Sequence, residues 1–139
     1  MKLTASKLVA AGTSVIVASA LMVGAGPAGA SSNRQHLLNA WNALLKDYNN
    51  ITSAVRANNV QGAEGGFIAF SRDCIPLATF ETSFSSTINN DIFQIAQVGN
   101  AWAWVGYITV SSNAGPGEFQ TATRKLSSDI SKFNRDLSS

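Results

Sequence analysis

Three stretches of this chain repeat their inward-type residues at steps of three and four, and a fourth carries no charge after its first residue, Asp91. From Arg34 to Asn59 the stripe is Leu37, Leu38, Trp41, Leu44, Leu45, Tyr48, Ile51 and Val55. From Val60 it is Ala63, Phe67, Phe70, Cys74 and Leu77, and beyond Gly117 it is Phe119, Ala122, Thr123, Leu126, Ile130, Phe133 and Leu137. On a helix of about 3.6 residues per turn such spacing gathers the oily side chains on one face and leaves the charged ones elsewhere. Each stripe needs a cover, and the others supply it. Short connections between helical segments make successive helices antiparallel, so the pattern predicts an all-α, up-and-down four-helix bundle.

The segment boundaries follow from local chemistry. Ser32 or Asn33 is suited to cap the first helix, and Asn58-Asn59 to stop it. In the second, Gly62, Gly65 and Gly66 each weaken a helix by about 1 kcal/mol relative to alanine, so it needs packing to persist. Pro76 lacks a backbone donor and restricts Ile75, which predicts an end or kink there. Phe80 and Phe84 prolong the apolar face before Ser85-Ser86-Thr87 opens a loop, and Ala114-Gly115-Pro116-Gly117 is the clearest turn in the chain.

The third segment, Asp91 to Ser112, is followed by no charged residue until Glu118. As a helix it brings Ala96, Gly99, Ala103 and Gly106 onto one face, where small side chains let a neighbour approach closely. As a strand it alternates Trp102, Trp104, Gly106, Ile108 and Val110 with Ala103, Val105, Tyr107 and Thr109, and its β-branched and aromatic content keeps that reading open. No other segment alternates to pair with it, which favours the helix. Its lack of charge predicts the most buried of the four elements.

Residues 1–30 read as a signal peptide. Lys2 and Lys7 make a basic start, Leu8 to Val23 an uncharged and mostly apolar core, and Ala28-Gly29-Ala30 a small-residue cleavage site. A single domain, residues 31–139, is expected to remain, secreted or associated with the cell envelope. Removing the leader takes away two of the ten basic residues and leaves eight against eight acidic ones, a neutral product. Neutrality argues against nucleic acid as a partner, since that binding draws on clustered Lys and Arg. The one compact basic cluster, Arg124, Lys125, Lys132 and Arg135, is interspersed with Asp129 and Asp136 and reads as a solvated helix face. No run of about 20 apolar residues spans a bilayer in the mature chain.

A first helix ending in Ala57-Asn58-Asn59, a second carrying Phe70-Ser71-Arg72-Asp73-Cys74-Ile75-Pro76, a tryptophan-bearing third and a closing amphipathic one together form a pattern. It resembles the small secreted or lipid-anchored helical proteins of actinobacteria, for which an alanine- and glycine-rich leader is typical. The resemblance covers most of the mature chain. It implies extracytoplasmic location and a helical fold, and it transfers no site, because the activities of those proteins are largely unassigned. Many of them carry a second cysteine where this chain has Cys74 alone.

The residues offer little reactive chemistry. His36 is the single histidine, too few for a zinc or di-iron ligand set, and no cofactor or metal is expected. Cys74 shares the inward seam of Phe67 and Phe70, which predicts a buried, inert thiol. The alternatives are a nucleophile paired with His36 or a disulfide linking two chains. Glu64, Asp73 and Glu81 form no pair at helical spacing, and the glycine-rich stretches lack the lysine of a phosphate loop. The chain therefore reads as a non-enzymatic protein. Its aromatics hold the functional promise: Trp102, Trp104 and Tyr107 cannot share one helical face, because residues two apart diverge by about 200°. They are the candidate ligand-binding residues, lining a groove for an apolar ligand or an unknown partner protein. The alternative is a structural, self-assembling protein that uses the apolar third helix as its oligomer interface.

Overall fold

The computed structural model describes residues 28–139, with side chains from Asn33 onward. Four helices follow in order: α1 (Ala28–Arg56), α2 (Val60–Ala78), α3 (Ser86–Ser112) and α4 (Pro116–Ser138). Backbones lie close between α1 and α2, α2 and α3, and α3 and α4. Between α4 and α1 the contact is made by long side chains, which close the bundle. The segment that could have been a strand, residues 101–110, is helical throughout. The expected signal peptide falls outside the described residues except for 28–30, which open α1.

Each inward stripe buries the residues its spacing picks out, except Ala122, which is half-buried. The core holds Leu37, Leu38, Trp41, Leu44, Leu45, Tyr48, Ile51 and Val55 from α1, with Phe67, Phe70 and Leu77 from α2, and Phe119, Leu126, Ile130 and Phe133 from α4. At its centre sits Trp102, which is 1% exposed. Its ring meets one or more rings from every other helix: Tyr48 at 5.3 Å, Phe67 at 5.1 Å, Phe70 at 4.9 Å and Phe119 at 5.8 Å between centroids. Its indole Nε1 donates to Thr123 Oγ1 at 2.9 Å, so the polar atom it takes into the core has a partner.

The connections show why the helices stop. At the end of α1, Asn58 adopts a left-handed conformation (φ 56°) and donates to the Val55 carbonyl, while the Asn59 amide donates to that of Ala54. Those two bonds satisfy carbonyls that a helix end otherwise leaves open. The Asn59 side chain then caps α2 by accepting from the Gly62 amide at 2.9 Å. Gly115, with φ of 66°, turns the chain into α4, whose first residue is Pro116.

Three boundaries differ from the sequence expectation. Ser32 and Asn33 lie inside α1, which begins at Ala28, because alanines 28 and 30 sustain helix upstream of them. α2 passes Pro76 and ends at Ala78; the proline cannot donate to the Arg72 carbonyl and the helix stops two residues later, where the Pro76 carbonyl receives Thr79 Oγ1 at 2.6 Å. α3 starts at Ser86, five residues before Asp91, capped by Ser85, while the Asn89 side chain both accepts from the Phe84 amide and donates to its carbonyl. α3 is also not sheathed on all sides. A helix in a ring of four has two neighbours and one outer face, and that of α3 exposes Phe93, Trp104 and Ile108.

Candidate functional site: an apolar groove between α2 and α3

The glycines of α3 set how closely α2 approaches. A Cβ on Gly106 would lie 2.3 Å from two ring carbons of Phe67, and one on Gly99 would lie 2.9 Å from Phe70. Hydrogen there lets the phenylalanines of α2 press onto the α3 backbone, and Ala103, also buried, completes the shallow floor. The seam is tied on its outer side by Ser71 Oγ donating to Asn100 Oδ1 at 2.7 Å, and farther along by Ser111 Oγ donating to Glu64 at 2.6 Å.

Above that floor the two helices present a second set of apolar side chains that the core does not use. Ile68 and Ile75 stand one position beyond Phe67 and Cys74, so they turn out of the seam to its flank; they are 58% and 68% exposed. Trp104 answers them from α3 at 61% exposure, with Tyr107 half-buried beside it. The result is a half-open groove of about 510 Å³ lined by Phe67, Ile68, Ser71, Arg72, Ile75, Ala103, Trp104 and Tyr107. A shallower, more polar depression of about 380 Å³ extends it, sharing Ser71 and Ile75 and adding Ala96, Gln97 and Asn100. The first volume falls within the range of small-molecule sites, about 300–1,000 Å³.

Of the three aromatic residues singled out from the sequence, the structure brings Trp104 and Tyr107 together at the groove and places Trp102 in the core. The 200° divergence explains the split: with Trp102 turned to the bundle axis, Trp104 must face away from it. The sequence reading missed Ile68, Ser71, Arg72 and Ile75. Ile68 and Ile75 were visible as a seven-residue apolar repeat beside the inward stripe, a sign of a helix with more oily surface than its core needs.

Arg72 and Tyr107 line the groove and Cys74 borders its shallower extension, while the carboxylates lie elsewhere. Cys74 is 5% exposed and its thiol is pushed up to about 12, by burial first and then by the nearby charges of Asp73 and Asp47. That setting opposes thiolate formation. His36 is exposed on the first turns of α1. Asp47 of α1 faces Asp73 of α2, and burial together with the shared proton and repulsion from Asp73 pushes it up to about 7, against the pull of Arg72 and Lys46. Across the bundle Asp91, 4% exposed, accepts from Lys132 Nζ at 2.7 Å, and Lys132 also reaches Asp136 at 2.7 Å. Burial raises Asp91, while the bonds from Asp91 and Lys132 lower Asp136. Both acid pairs join neighbouring helices, α1 to α2 and α3 to α4. Among the described residues no three His, Cys, Asp or Glu side chains gather to hold a metal ion, and no helix is long and apolar enough to cross a membrane.

No protein-family model, curated protein or solved structure matches the chain.

Proposed function

We propose that this is a secreted, non-enzymatic helical protein that binds an apolar ligand, or the apolar part of a partner in the cell envelope or outside the cell, in the groove between α2 and α3. The observation that carries the reading is the group Ile68, Ile75 and Trp104, three large apolar side chains each more than half exposed around one trough. Contiguous apolar surface of this kind marks interaction sites, since water strongly favours covering it. Extracytoplasmic location rests on the basic start, apolar core and small-residue cleavage site of residues 1–30, and on the likeness to small secreted proteins of actinobacteria. The absence of an enzymatic role rests on a buried Cys74, a remote His36 and a groove whose lining offers hydroxyls and one guanidinium.

Titration with the neutral, polarity-sensitive dye Nile red tests the groove. The purified mature chain should brighten and blue-shift the dye, and the variant carrying Ile75→Ser and Trp104→Ser should do so at least several-fold less while keeping its helical circular dichroism. Equal dye response in both proteins would refute the site. Amino-terminal sequencing of protein from the culture medium should begin at Ser31.

A second reading has its own observation. Phe93, Trp104 and Ile108 recur on the outer face of α3 across about four turns, a strip that a second copy of the chain could cover. Sedimentation separates the two, because self-assembly through α3 gives a dimer or larger species at micromolar concentration and ligand binding leaves a monomer.

A further inference from the structure

The groove is not uniform along its length, and the difference specifies what fits it. Its upper part, between Ile68, Trp104 and Tyr107, is almost wholly apolar. Its lower part passes Ser71, Asn100 and Gln97, which offer hydroxyl and amide groups. Arg72 lines the apolar part and is the only charged residue, among the described residues, lining either part. Its side chain is 72% exposed, and its ion pair with the adjacent Asp73 is long, 3.5 Å. An exposed pair at that distance holds the guanidinium weakly and leaves donors free for another anion. α3 contributes no charge between Asp91 and Glu118, so the acids in the field of Arg72 are Asp73 and, from α1, Asp47, and none comes from the opposite wall of the groove.

We propose that the groove takes a single-chain anionic amphiphile as a free monomer, its hydrocarbon chain lying between Ile68 and Trp104 and its anionic head on Arg72. The assignment rests on the groove reading above and adds the charge and the polarity of the occupant. A chain laid in the trough covers the indole of Trp104 and the two isoleucines. The head remains at the solvent-facing lip, where Arg72 can hold a carboxylate or phosphate with two parallel N–H donors. Such a ligand matches both halves of the site, whereas a fully neutral hydrocarbon leaves the guanidinium and the Asn100–Gln97 end without a role.

The probes are laurate and dodecanol below their aggregation limits, read by calorimetry and by the change in tryptophan emission, in the wild-type mature chain, in Arg72→Gln and in Arg72→Lys. Laurate should bind the wild type at least about threefold more tightly than Arg72→Gln does, as one partly exposed charge contact predicts. Dodecanol should bind both alike, and Arg72→Lys should recover part of the laurate affinity. Laurate and dodecanol binding equally, with no effect of Arg72→Gln, would overturn the assignment of an anionic head while leaving an apolar groove in place. Failure of laurate, dodecanol and Nile red together would overturn the groove itself. Co-flotation with phosphatidylglycerol vesicles without monomer binding, or dimerisation that excludes laurate, would also overturn the proposal, by giving the face to a membrane surface or to a second copy.

Discussion

Replacing Gly106 by alanine tests the closest contact in the bundle, and a matched replacement at Gly65 removes the main ambiguity. A Cβ at 106 would fall 2.3 Å from Cε1 and Cζ of Phe67 and 2.8 Å from Cε1 of Phe119. Carbon atoms rest at about 3.5–4.0 Å, so the Phe67 ring would have to retreat by more than about 1 Å. It has little room, because it lies edge-on to Trp102 at 5.1 Å and to Phe119 at 5.7 Å. Overpacking of this kind costs about 1–3 kcal/mol. Alanine also favours the helix over glycine by about 1 kcal/mol wherever it is placed, which would offset part of that cost. At Gly65 a Cβ meets nothing within 4 Å, so Gly65→Ala carries the helix preference alone. The difference between the two variants therefore isolates the packing, and it should be about 1–3 kcal/mol with Gly106→Ala the less stable. Urea unfolding followed by circular dichroism measures it, provided the slope of free energy on urea stays constant across the set. Equal stabilisation by both alanines would show that α2 and α3 are not pressed together as described.

Trp102→Ala should destabilise by about 3–5 kcal/mol, the cost of emptying a large core site, whereas Trp102→Phe should cost less because the Thr123 hydroxyl still donates to the Phe119 carbonyl; thermal or urea unfolding distinguishes the two. Asp47 holds its proton more tightly folded than unfolded, so its contribution to stability is full below pH 3.8, declines as pH rises towards about 7 and is flat above. Asp47→Asn should accordingly gain on the wild type between pH 4 and pH 8, and urea midpoints that keep a constant difference over that range would refute the shared proton. Cys74 should resist a thiol-specific disulfide reagent in the native state at pH 8 and react promptly in urea; rapid native labelling would contradict its burial.

The fold was legible because three stripes are clean and the loops are punctuated by residues with a mechanical reason to be there. Asn58 and Asn59 end one helix and start the next, and Gly115-Pro116 does the same before α4. The third segment was harder. Its composition suits a strand as well as a helix, and only the spacing of Ala96, Gly99, Ala103 and Gly106 pointed to a close-packed helical face, which the contacts of Gly99 and Gly106 with Phe70 and Phe67 now account for. The missing charge between Asp91 and Glu118 pointed to a deeply buried element, and α3 does bury ten residues, but a helix can also lack charge because its outer face is itself apolar. Trp102, Trp104 and Tyr107 stood together as groove candidates because their angular spread shows that they cannot share one face. Which of the two tryptophans faced inward could not be read from that angle alone. Arg72 was hidden by its surroundings in sequence, since an arginine beside an aspartate on an amphipathic helix looks like any solvated pair until Ile68 and Ile75 are seen to flank it.

Trp102 links the four helices in a way that bears on how they come together. Its ring borders each of the other three, so any partial assembly that omits one helix leaves a face of the indole wet. Half-formed states are penalised at that single residue, which favours a concerted transition in which near-ultraviolet signal and helicity vanish in step.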